Sequence, residues 1–312
     1  MNYRHFTLAA LAGLVFVSCG GSEDDVPLAA ATRAGQGEAA RLYQAGVAAQ
    51  EAGNTKKAAS LFEEVAKDFP LAASAPEARF RQAKILDHQG ELLEAFQAYQ
   101  AYLSRYPAGP RYSEAIKRQR TVALAAADGQ LKNNFLGIKS RLDSQKVVTM
   151  LTQVRENAPR TAEAPLVQYK IGEVWERAKK EEQAIAAFRL LTLEYPDSKY
   201  APEAQYRMGE ILMAEAKRGN QDQANIDRAR ETYQDLLLRY PNSRRAKDAR
   251  ARIASLGSAD LQRSYDVAEF YRKKGQTSSA VFYYQEVVRR SGGGSLREKA
   301  RARLAELGVK AP

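Results

Sequence analysis

Residues 172–209 read GEVWERAKKEEQAIAAFRLLTLEYPDSKYAPEAQYRMG, and the spacing within them decides the fold. The pair Tyr195-Pro196 closes an apolar-periodic segment, with Phe188 eight residues before the proline, Ala184 twelve before it and Gly172 twenty-four before it. The same offsets recur upstream: Phe62, Ala58 and Gly46 before Pro70, and Tyr99, Ala95 and Ala83 before Pro107. Tyr233 and Ala229 keep them before Pro241, and Gly53 and Gly90 stand seventeen before the first two prolines. Small residues at such positions let two antiparallel helices approach closely. The aromatic ring fills the space beside them, and proline stops the second helix because it has no N–H to donate.

This is the tetratricopeptide pattern, a helix pair of about 34 residues, here lengthened by three in the turn between pairs. With Ala158-Pro159 included, the proline intervals are 37, 52, 37 and 45. The copy around 110–159 is degenerate, with Val147 and Leu151 in the alanine and aromatic positions, and its extra residues suggest a longer first helix or an added turn. The excess in the 196–241 copy, near Lys217 to Asp227, is polar and should loop out. A last copy keeps Ala268, Gly275, Ala280 and Tyr284 but has Gly292 in place of proline, and Leu296–Leu307 reads as a closing helix. The expectation is an all-α tetratricopeptide-repeat solenoid over residues 38–312, about six helix pairs in a right-handed superhelix, in which each pair completes its neighbour's core.

Ahead of the repeats, residues 1–18 have the form of a secretion signal. Arg4 and His5 precede twelve apolar residues, Phe6–Val17, too few to cross a bilayer core of about 30 Å. Phe16-Val17-Ser18-Cys19-Gly20 resembles the bacterial lipobox. The resemblance implies a lipoprotein signal cleaved before Cys19, a covalent lipid on that cysteine, and, with glycine after it, transport to the periplasmic face of the outer membrane. Residues 19–37 read as a flexible tether.

Several chemistries are excluded by residue supply. Cys19 is the only cysteine, and His5 and His88 are the only histidines, so no Cys/His zinc site can be built. No Gly-rich phosphate loop, G-x-S-x-G or H-E-x-x-H is present. Glu181-Glu182 and Asp24-Asp25 fall at a helix junction and in the tether, and Gly292-Gly293-Gly294 is a turn. Trp175 reads as a packing residue, and His88 as a favourable charge at a helix end. A binding protein without catalysis or cofactor, other than the lipid on Cys19, is expected.

The formal charge is +11, and Arg239 to Pro312 holds 17 Lys/Arg against 7 Asp/Glu. Arg244, Arg245, Lys247, Arg250 and Arg252 form one cluster, Arg272, Lys273 and Lys274 a second, Arg289 and Arg290 a third. Such a balance favours encounter with acidic surfaces. For an exported chain these are acidic protein domains or anionic headgroups, and no nucleic acid.

Lipobox, short tether and lengthened repeats together resemble the BamD family, lipoprotein partners in outer-membrane β-barrel assembly. Residues 38–110 are similar to the family's first two repeats. Tyr240-Pro241-Asn242-Ser243, the long helix after it, Val267-Ala268-Glu269-Phe270-Tyr271 and Gly275 match a later stretch. Where the family has an arginine after that glycine, this chain has Tyr283, and pairs around 110–196 read as insertions. The resemblance implies that first-helix residues Tyr43, Arg79 and Arg81 line a groove for unfolded barrel segments. It implies that Arg263, Tyr271, Arg272 and Lys273 dock an outer-membrane assembly protein. Tyr195 to Glu210 is also similar to periplasmic Tol-Pal coordinators, which implies the alternative of a cell-envelope organiser. That family generally lacks a lipid and carries a coiled coil.

Overall fold

The computed structural model describes residues 33–130, 132–135, 138–219 and 222–312. The signal sequence, Cys19 and the tether up to residue 32 lie outside the described residues. The chain divides into two compact units, one ending at Gly90 and the other beginning at Glu91.

The first unit consists of α1 (Arg33–Glu51), α2 (Thr55–Asp68) and α3 (Ala75–Gln89). Helix α1 begins five residues inside the expected tether, because Gly35 and Ala39 are already buried on the face shared with Leu42 and Gly46. Asn54 caps α2 by accepting from the Lys57 N–H at 3.2 Å. Pro76 starts α3, where a missing N–H costs nothing, and Gly90 ends it in the left-handed region at φ 79°. A Cβ on Gly46 would lie 2.8 Å from the Phe62 ring, so glycine is what lets α1 and α2 meet.

The second unit runs α4 (Leu92–Arg105), α5 (Tyr112–Ala127), β1 (Lys132–Phe135), β2 (Ile138–Arg141), α6 (Ser144–Asn157), α7 (Ala164–Arg177) and α8 (Glu181–Glu194). It continues with α9 (Ala201–Arg218), α10 (Gln223–Arg239), α11 (Arg244–Lys273), α12 (Thr277–Arg290) and α13 (Ser295–Glu306). Helix order follows the six sequence copies, with α13 as the expected last helix. The fold is an all-helical tetratricopeptide-type repeat array with one added hairpin.

Two expectations about the insertions are corrected. Most of the extra residues of the degenerate copy do not go into its first helix, since α5 has 16 residues against 14 for α7. They form an antiparallel β-hairpin, β1 on β2, with Lys132 opposite Arg141 and Phe135 opposite Ile138. The excess in the 196–241 copy does not loop out either. It is taken up as helix, α9 reaching 18 residues and α10 17, against 14 each for α7 and α8. Asp222 makes this possible by accepting from the Ala224 N–H at 3.0 Å, and Ile226 anchors the added turn in the core.

Among the described residues, three apolar clusters succeed one another in this unit. One joins α4–α8 around Leu151, Val167 and Ile171. The next joins α7–α11 around Phe188, Leu191, Tyr233 and Leu236. Trp175 packs against both, as a structural residue. The third joins α11, α12 and α13 around Ala268, Tyr284 and Leu304. Helix α11 contributes Leu256 to the second and Ala268 to the third, so one 30-residue helix threads both.

Candidate protein-binding surfaces

The first helices carry a repeated interlock. Tyrosines on α1, α7, α9 and α11 lie against the aromatic of the following helix: Tyr43 on Phe62 at 5.6 Å, Tyr169 on Phe188 at 5.6 Å, Tyr206 on Tyr233 at 5.7 Å, and Tyr265 on Tyr284 at 5.5 Å between ring centroids. The next first helix then lays an arginine over the tyrosine. Arg81 is 5.8 Å from the Tyr43 ring, Arg207 5.5 Å from Tyr169 and Arg245 4.6 Å from Tyr206. A guanidinium over an aromatic face is attracted by the ring quadrupole, so at these three junctions a repeat grips the one before it.

Around these arginines runs a ladder of ion pairs. Lys170 on α7 bonds Asp128 and Glu173, both at 3.0 Å. Arg207 on α9 reaches Glu176 at 2.7 Å, Glu173 at 3.2 Å and Glu203 at 3.5 Å. Arg245 on α11 holds Glu203 through Nε and Nη2 and Asp248 through Nη1. The hydrogen bond from Arg245 holds the Glu203 carboxyl below its ordinary range, against the opposing effect of burial. The face is neutralised from within. Arg207→Ala would leave Glu173, Glu176 and Glu203 without their shared partner. It is expected to cost about 2 kcal/mol, scaled down from the 3–5 of a fully buried pair because the side chain is 31% exposed. Arg207→Lys should recover less than half, lacking the planar fork. Urea unfolding followed by Trp175 fluorescence measures both.

Tyr43 and Arg81, proposed from sequence, do come together. Arg81 also bonds Glu77 at 3.2 Å and Gln50 at 3.2 Å. Arg79 lies two residues away, roughly 200° around the helix, and donates to the buried Gln82 at 2.8 Å, so it does not share that face.

In the C-terminal bundle the four proposed residues separate by role. Arg272 is held by Glu269 at 2.9 Å, and Arg263 by Gln223 at 2.6 Å and Asp260 at 3.7 Å. Tyr271 stacks on Tyr283 with centroids 5.7 Å apart and planes 9° from parallel. Lys273 is exposed, with no carboxylate partner among the described residues. The stack extends into a ribbon of four rings, Phe270–Tyr271–Tyr283–Phe282, with outer contacts of 5.6 and 5.3 Å. Phe270 and Phe282 are 55% and 56% exposed, and Lys274 sits 5.8 Å above the Phe270 ring. Spacing had not pointed to Phe270 or Phe282. Their signal was bulky apolar residues on the solvent side of helices already assigned an apolar face. The charge clusters are likewise thinned: carboxylates hold Arg245, Arg252, Arg272 and Arg290, and beyond the clusters Arg303.

Beneath the ribbon, burial opposes the charge of Glu269. Hydrogen bonds from Arg272 and Tyr284, with the charges of Arg272 and Arg303, outweigh it and hold the carboxyl at about 2. Burial and the same hydrogen bond push the Tyr284 hydroxyl up. A depressed carboxylate stabilises fully above its unfolded value of 4.5 and loses that contribution as pH falls towards about 2. Glu269→Gln should therefore weaken α12–α13 at neutral pH and flatten their acid dependence between those values, as amide hydrogen exchange would record.

Among solved structures, the chain is similar to TTC0263, a thermophilic TPR protein of Thermus thermophilus, at 20% identity over 70% of this chain and 98% of that one, with a TM-score of 0.30. It is similar to the TPR domain of P58(IPK) at 16% identity over 86% and 78%, TM-score 0.35, and to Pseudomonas aeruginosa pilF at 16% over 86% and 99%, TM-score 0.29. No curated protein matches significantly. The family model described as "YfiO: Outer membrane lipoprotein" matches residues 35–218 and 210–304, two stretches that overlap within α9. The chain therefore belongs to the YfiO family of outer membrane lipoproteins, the BamD-like family that its repeats and lipobox resemble.

Proposed function

We propose that the mature protein is anchored by acyl groups on Cys19 to the periplasmic face of the outer membrane. There it serves, without catalysis or cofactor, as a protein-binding scaffold in β-barrel assembly. The family match over nearly all the repeats carries this reading. In it, the Tyr43/Arg81 face of the first unit receives unfolded barrel segments. The ring ribbon with Lys273 and Lys274 docks an acidic assembly partner. Two exposed phenylalanines beside Lys273 and Lys274, which have no carboxylate partner among the described residues, supply the apolar anchors and the steering charge such a contact uses.

The test is a pull-down from detergent-solubilised envelope. A barrel-assembly partner should be recovered with the natural chain. Phe270→Glu should reduce recovery by about 30-fold or more, the effect of losing a hot spot of at least 2 kcal/mol. Lys273→Glu should act mainly at low salt. Recovery of Tol-Pal or division proteins with no barrel-assembly partner would overturn the reading in favour of an envelope organiser.

A further inference from the structure

A notch of about 330 Å³ opens between α9, α10 and α11. Met213, Ala214, Ala216 and Leu256 line it beside the Tyr233 ring, with Glu210, Arg252, Lys217 and Ser255 at the rim. It belongs neither to the Tyr43/Arg81 face nor to the ring ribbon.

Its composition departs from the repeat. At the repeat offset set by Gly209 and Gly172, Met213 takes the place of Glu176, Ala214 of Arg177 and Ala216 of Lys179. The interlocking arginines Arg245 and Arg207 set the offset on the next helix, where Leu256 takes the place of Arg218. In the preceding repeat three of those charged residues are engaged: Glu176 bonds Arg207 at 2.7 Å, Arg218 bonds Glu181 at 2.7 Å, and Arg177 donates to the Ala127 carbonyl at 2.7 Å. Here four charged positions have become apolar. Core packing accounts for Ala216 and Leu256, which are buried in the second apolar cluster, but not for Ala214, which is exposed, nor for the open side of Met213, which is half-buried at that cluster's edge.

The rim suits a polypeptide. Arg252 and Glu210 form a pair at 2.5 Å, with side chains 50% and 32% exposed. Glu210 accepts from Arg252 through one oxygen and from the Tyr233 hydroxyl through the other, so its remaining lone pairs and the other guanidinium N–H groups are what the rim offers to one peptide unit. Lys217 is exposed and has no carboxylate partner among the described residues, so it adds an uncompensated positive charge at the C-terminal end of α9. The volume stands at the small end of ligand pockets, roughly 300–1,000 Å³, room for one large side chain and its flanking backbone. We propose that this notch is a further peptide-binding site, taking a bulky apolar side chain of an extended segment whose neighbouring residue is acidic.

The test uses the full chain with 13C-methyl methionine and the peptide acetyl-Gly-Phe-Glu-Gly-amide. The Met213 methyl signal should shift saturably while Met150, in a different core cluster, stays in place. Replacing the peptide's phenylalanine with alanine should weaken binding at least about tenfold. Lys217→Glu should weaken it and favour the peptide with lysine in place of glutamate. Met213→Glu with Ala214→Arg, the pair present one repeat earlier, should abolish binding while the thermal transition persists. If that double variant fails to fold, Lys217→Glu, a surface change, carries the test alone. A Met213 signal unmoved at millimolar peptide, or binding indifferent to the rim and lining changes, would overturn the proposal. So would decanoate competing as well as the peptide, which would mark a small-amphiphile pocket. None of these results depends on recovery of a barrel-assembly partner.

Discussion

Replacing Phe188 with alanine is expected to lower the stability of the second unit by about 3–5 kcal/mol, the usual cost of emptying a well-packed aromatic site. Phe188 is fully buried, touches Tyr169, and lies directly over Gly172. The complementary change should also be costly. A Cβ on Gly172 would overlap the Cε1 edge of the Phe188 ring and lie 2.5 Å from its Cδ1, a clash that only a shift of α7 against α8 can relieve. Gly172→Ala is expected to cost about 1–3 kcal/mol. In that background, Phe188→Leu should recover part of the loss, because the smaller side chain vacates the place the new methyl needs. The double-mutant cycle therefore predicts a favourable coupling between two changes that are each destabilising alone. Equilibrium unfolding monitored through Trp175, the single tryptophan, measures all four forms. Strict additivity would show that the glycine is not there to admit the ring.

Cys19→Ser is expected to shift the protein wholesale from the membrane pellet to the soluble periplasmic fraction. One acyl chain holds a protein to a bilayer only marginally, whereas two or more anchor it stably. Among the described residues no helix is long and apolar enough to cross a membrane. Fractionation with mass measurement of the N-terminus should show acyl mass in the natural chain and none in the variant. A variant that stays in the pellet through a high-salt wash would move the anchor from the acyl groups to the folded surface.

The helix contacts that repeat at fixed offsets were legible in the sequence. Gly46 under Phe62 and Gly172 under Phe188 follow from one rule about small residues facing large ones. The interlock of Tyr43 with Arg81, Tyr169 with Arg207 and Tyr206 with Arg245 was not read. It links one repeat to the next at offsets of 38 or 39 residues, outside the frame that each proline sets. The hairpin was missed because a single copy gives no periodicity to compare, and four-residue strands carry little pattern of their own. The basic C-terminal quarter looked more available than it is. Glu203 and Glu210, which hold Arg245 and Arg252, each lie 42 residues away, on α9, and local spacing says nothing about such partners. The ring ribbon joins residues on two helices, so only the packing of α11 on α12 reveals it.

Helix α11 has a mechanical consequence. Its 30 residues make a rod about 45 Å long, clamped near one end by the cluster that holds Leu256 and near the other by the cluster that holds Ala268. A load applied to the ring ribbon is transmitted down a single hydrogen-bonded backbone to the repeats behind it, with no loop in between to absorb the pull. Tugging at the far end should loosen the near core only once the rod itself frays.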